Sequence, residues 1–179
     1  MLATGGTNFA IAMLNGILCI CDDSDGMYEI NFIRDRSTVY RIKGSSYTGA
    51  VWQGDISRRN TATLLPYAGD YDTRNLVGGS AYSVDMRVYP WCPVDPESGL
   101  QTPVIAVGTD LGLTFINGPL GVGTSVHVSH STATLIVDVL MHEDGSFTYA
   151  ADSNYNGRFV HTDLKIPTKD VVKGVSYTG

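Results

Sequence analysis

Residues that favour exposed helices are nearly missing from this sequence: three Glu and four Lys stand against 20 Gly in 179 residues. That balance starves helix surfaces and supplies turns, which excludes a helical bundle. Charge of either sign is thin, at 17% of residues against the usual ~25%. The formal net charge is -6, with only 12 basic residues. Binding to nucleic-acid phosphate draws on clustered Lys and Arg, so sequence-specific DNA or RNA binding is not expected. The three cysteines, Cys19, Cys21 and Cys92, are an odd set for a disulfide framework, and the first two sit too close on an extended strand to bridge. They read as small buried hydrophobes and point to a reducing compartment or an assembly formed inside a cell. No apolar run reaches ~18 residues, so no membrane-spanning helix is expected. The run Phe9–Cys21 lacks a basic flank and is interrupted by Asn15-Gly16, unlike a signal peptide.

Hydrophobic residues are 43% of the chain, and a domain of this size buries roughly 70% of the surface its unfolded form exposes. The apolar residues fall into short runs separated by turn signals, the pattern of strands. Phe9–Leu14 leads into Asn15-Gly16, a pair suited to a two-residue hairpin because both residues tolerate positive φ. Ile17–Cys21 returns, the Asp22–Gly26 cluster turns, and Tyr28–Ile33 and Thr38–Ile42 follow. Ala50–Gln53, Thr61–Leu65 and Ala81–Val88 are strand candidates in the middle of the chain. The loop Pro90–Thr102 then leads to Val104–Val107, Leu113–Ile116, Ser125–Val128, Thr134–Met141, Ser146–Ala150 and Arg158–Thr162. Ile17–Cys21 and Thr134–Val137 are apolar at nearly every position, which predicts cover on both faces.

Two internal matches are visible. LATGGTNFAIAMLNG (2–16) aligns on VIAVGTDLGLTFING (104–118), and RIKGSSYTG, ending at Gly49, matches VVKGVSYTG, ending at Gly179. They divide the chain into a first unit (1–49), a divergent second unit with a Pro-rich link (50–103), and a third (104–179) running into the start of a next one. The expected fold is all-β: antiparallel meander blades of a β-propeller, incomplete or part of a larger ring. A β-sandwich is the alternative.

The stretch Asp85-Met86-Arg87-Val88-Tyr89-Pro90, then Pro93-Val94-Asp95-Pro96 and Thr102-Pro103-Val104-Ile105-Ala106-Val107-Gly108-Thr109-Asp110, resembles propeller-type repeats of large bacteriophage structural proteins. It is similar to blade stretches of tail nozzle and other tail-tube-end proteins of short-tailed phages. The resemblance covers about 35 residues. It implies a non-enzymatic structural role in the virion tail, assembled in the host cytoplasm, with copies of the chain and neighbouring tail proteins as partners around an axial channel. An acidic chain suits a passage that must not hold DNA.

Chemistry-bearing patterns are sparse. Asp152, Asn154 and Asn156, with Gly157 next and Asp163 at loop position 12, have the oxygen spacing of a Ca²⁺ loop. Against it, position 12 is Asp rather than Glu and the flanks are strands, so a hairpin turn is the plainer reading and no cofactor is expected. His127 and His130 fall on opposite faces of one strand, and with His142 and His161 they read as structural. Neither a nucleophile elbow nor a phosphate loop is present. The aromatics, Trp52, Tyr89 and Trp91 among them, suit a core or subunit contact, with a sugar-stacking platform as the alternative. That platform would make the protein a carbohydrate-binding or carbohydrate-cleaving propeller for host attachment.

Overall fold

The computed structural model describes residues 8–24, 26–42, 51–53, 75–130, 134–153, 157–163 and 165–173. Among them the chain is all-β, with fourteen strands and no helix. The first sheet is a meander of β1 (Asn8–Leu14), β2 (Ile17–Asp22), β3 (Gly26–Asn31) and β4 (Arg36–Ile42), extended by β5 (Val51–Gln53) and by β6 (Asn75–Leu76), which pairs with β4 in parallel. The second is a meander of β7 (Ala81–Arg87), β8 (Val104–Thr109), β9 (Gly112–Ile116) and β10 (Ser125–His130), with β14 (Val171–Lys173) parallel on the β10 edge. The third comprises β11 (Thr134–Met141), β12 (Phe147–Ser153) and β13 (Gly157–Asp163).

The sequence explains the local geometry. Asn15 and Gly16 take φ of 48° and 76°, making the two-residue hairpin that suits the right-handed strand twist. Asn117, its counterpart in the internal match, also has positive φ, at 56°, but opens the longer loop 117–124. The matched segments hold different ranks: β1 is the edge strand of the first sheet, whereas β9 is the third strand of the second meander. The Asn-Gly pair gives its Asn a positive φ in both places, while the length of the connection and the rank of the strand follow from the packing of whole sheets. Of the second match, Arg41-Ile42 closes β4 and Val171–Lys173 forms β14; the remainder lies outside the described residues, as does the expected strand Thr61–Leu65. The expected unit boundary at residue 103 falls between β7 and β8, which are hydrogen-bonded neighbours joined by the loop 88–103.

The second sheet lies between the other two. Every residue of β8 and β9 is buried, and successive side chains alternate between two cores. Ile105, Val107 and Ile116 meet Ile17, Cys19, Cys21, Met27 and Tyr40 of the first sheet. Val104, Ala106, Leu113 and Phe115 meet Ile136, Val139, Met141, Phe147 and Tyr149 of the third. Cover on both faces thus belongs most fully to β8 and β9. In β11 it fails at Val137, 38% exposed, because the register slips there and turns the side chain outward. The first strands of the three meanders are neighbours, β1 against β7 and β7 against β11. Each carries a register irregularity against its second strand.

Candidate functional site

The connections β1–β2, β3–β4, β7–β8 and β9–β10 converge where the core between the first and second sheets opens into a cleft of about 220 Å³. Its walls are tied by side chains acting on backbone. Asn15 Nδ2 donates to the Gln101 carbonyl at 2.7 Å, Gln101 Nε2 donates to the Tyr89 and Cys92 carbonyls, and Asn117 Nδ2 donates to Pro103 O. Arg34 pairs with Asp95 at 2.7 Å across the mouth. Amides of Glu97 and Ser98, then the Arg34 guanidinium, hold the Asp95 carboxyl below the usual carboxylate range.

The floor comes from the inward face of β3 and β4, where Met27, Glu29, Thr38 and Tyr40 share one parity. Apolar near the centre, that face turns polar toward the loops. Tyr40 OH donates to Glu29 Oε2 at 2.8 Å. Burial raises the Glu29 pKa, opposed by the Tyr40 bond and nearby Arg36; burial also pushes the Tyr40 hydroxyl well up. Arg36 lines the cleft, and its buried Nε has no hydrogen-bond partner among the described residues. Burial lifts the Cys19 thiol and takes that of Cys21 to about 12, so both are unreactive packing groups, as is the place expected for them.

Sequence reasoning missed Glu29 and Arg36; Tyr40 belongs to the aromatics it reads as suited to a core, a contact or a sugar-stacking platform. The signal was present: in Met27-x-Glu29-x-Asn31, strand alternation puts an acid on the parity of a core residue.

The residues singled out from sequence do not meet here. Asp152 pairs opposite Arg158, while Asp163 pairs opposite Phe147 at the other end of the β12–β13 ladder and on the other face. At ~3.4 Å per residue the two stand roughly 17 Å apart, too far to share an ion. Asn154 and Asn156 lie outside the described residues. Asp163 instead contacts Lys173 Nζ, which also meets His161 Nε2 at 2.9 Å and stands over the Tyr149 ring. These contacts join β13 to β14. Trp52 is on β5 opposite Ser37. Tyr89 is a core residue at 2% exposure, its hydroxyl donating to His142 O. Trp91 is 47% exposed and stacks on Tyr89 at 5.2 Å. The histidines have structural partners: His127 bonds Asn75 and Thr114, His142 bonds Thr148, and His130 packs on Tyr149 from the opposite face of β10.

No protein-family model matches the chain, and no curated protein matches it either.

Proposed function

We propose that the chain is a non-enzymatic building block of a phage-type tail, its three meanders acting as consecutive blades of an open propeller whose ring is completed by further copies. One observation carries the reading: the same pair of first-strand positions is covered wherever a sheet precedes it. Val84-x-Met86 on β7 packs toward the first sheet, and Val139-x-Met141 on β11 is buried against the second. Their counterpart on β1, Ile11-x-Met13, is 65% and 62% exposed. At the opposite end, the outer face of the third sheet exposes Leu140 (51%) and Val160 (71%) beside Asp138. Exposed apolar faces of this kind mark contact surfaces.

Asp138 shares the outer face of β11 with Leu140, the counterpart of Asp85, and two positions earlier on its strand makes the same local bond as Asp85. Each Asp accepts a bond from the amide of the next residue, at 2.9 and 2.8 Å. Asp85 also accepts from Met141 N of the following sheet at 2.6 Å. In this reading the outer face of β11, carrying Asp138 and Leu140, receives β1 of the next copy, so the contact is head-to-tail and closes only as a ring. The resemblance of 85–110 to tail nozzle repeats supplies the setting, a virion tail.

Light scattering on chromatographed protein tests this. Assemblies of several 19.3 kDa chains are expected, and Asp138→Lys with Leu140→Glu reduces them to monomer at unchanged melting temperature. A wild-type protein that stays monomeric at high micromolar concentration overturns the reading.

A further inference from the structure

We infer that the cleft between the first and second sheets is a binding site for a neutral, hydroxyl-rich ligand of monosaccharide size. The inference stands apart from the assembly reading, because the cleft opens at the loop end and neither exposed sheet face contributes to it.

One polar group on its floor is left unpaired beside a carboxyl that Tyr40 engages through a single oxygen. Tyr40 donates to Glu29 Oε2. Arg36 Nε is buried in the same wall and unbonded. The two residues are close enough for Arg36 to lower the Glu29 pKa. A buried donor without a partner costs free energy comparable to a lost hydrogen bond, so a group that satisfies it binds with that much in hand. A hydroxyl does both jobs at once, accepting from Arg36 and donating to Glu29.

Charge argues against an ionic ligand. Arg34 is already matched by Asp95, and Arg36 faces Glu29, so the lining offers no surplus of either sign. The remaining walls include Ile33, Leu100 and Val122, which suit the C–H faces of a sugar ring. Pockets with apolar walls and a few convergent polar groups are the usual form of small-molecule sites. Its position at the meeting of four connections is where rigid sheets commonly present binding groups.

The test is saturation-transfer NMR followed by calorimetry with glucose, galactose, mannose and N-acetylglucosamine, and with sulfate and acetate as ionic probes. Wild type should bind at least one neutral sugar saturably, with a Kd near or below roughly 1 mM. Arg36→Met should weaken it by roughly tenfold or more. Should that variant fold poorly, Val122→Trp tests the same cleft from its rim. Val122 is 58% exposed, and the larger ring should block binding at an unchanged melting temperature. Failure of every neutral sugar to bind, binding unaffected in Val122→Trp, or acetate or sulfate bound more tightly than any sugar would each overturn the inference.

Discussion

The two cores on either side of the second sheet are built differently. The one shared with the third sheet is aromatic and closed: Phe115 meets Phe147 edge-on at 4.7 Å, Tyr149 stacks beyond it, and Tyr89 closes one end. The one shared with the first sheet uses smaller and sulfur-bearing side chains, Cys19, Cys21, Met27 and Ala81, and runs out into Glu29, Arg36 and the cleft. Burial of hydrocarbon stabilises at about 25 cal/mol per Å², whereas burial of a carboxyl works against it. Stability is therefore concentrated on one side of the central sheet, and polar chemistry on the other.

The largest effect that sharpens this contrast is a truncation in each core. Phe147→Ala is expected to cost about 4 kcal/mol, because a large fully buried ring leaves a cavity its neighbours only partly fill. Cys21→Ala removes one sulfur and should cost about 1 kcal/mol. Urea midpoints at constant m-value measure both. Equal losses would erase the distinction between the cores.

Next in size is an overpacking change. Gly108 lies on β8 against the third sheet: an added Cβ would run into the Ser83 hydroxyl and into Ile136 Cγ2 at 2.7 Å. Gly108→Ala is expected to destabilise by about 1–3 kcal/mol by forcing β11 away. Gly79→Ala, whose Cβ would meet nothing within 4 Å, is the control and should stay within about 0.5 kcal/mol of wild type. If the two variants melt together, the close contact of β8 with β11 is not what holds the third sheet in place.

Much of this arrangement was legible residue by residue. Thr134–Met141 is β11 with the bounds the hydrophobic run predicts, and the Asn15-Gly16 hairpin and the buried cysteines are where local chemistry puts them. Local signals weaken where sheet stacking decides. The internal match of 2–16 with 104–118 predicts equivalent places, yet β1 and β9 differ in rank, because strand order depends on which whole meanders pack together. β14 joins the β10 edge in parallel, a long-range pairing no turn signal announces. The cleft was hidden for a related reason. Glu29 and Arg36 are ordinary strand residues in sequence, and only the seating of the β7–β8 loop over them makes a site.

The smallest expected effect is a pair of opposed pH slopes, one from each side of the central sheet. Burial raises the Glu29 pKa in the folded state, so as pH climbs past the unfolded value near ~4.3 the unfolded chain ionises first. The stability present below that pH is then lost until the folded group titrates. His130, at the edge of the aromatic core, has its pKa lowered by burial first, then by Lys173 and His161, with Asp163 opposing. The unfolded chain takes up its proton first below ~6.5, so stability is lost as pH falls from there. Urea unfolding between pH 4 and 8 should show Glu29→Gln gaining on wild type as pH rises, since glutamine still accepts from Tyr40 without the cost of a buried charge. His130→Gln should gain on wild type in the acid half of the range. Curves for the two variants that run parallel to wild type would mean that neither group feels its core, and the division of roles between the two cores would lose its electrostatic half.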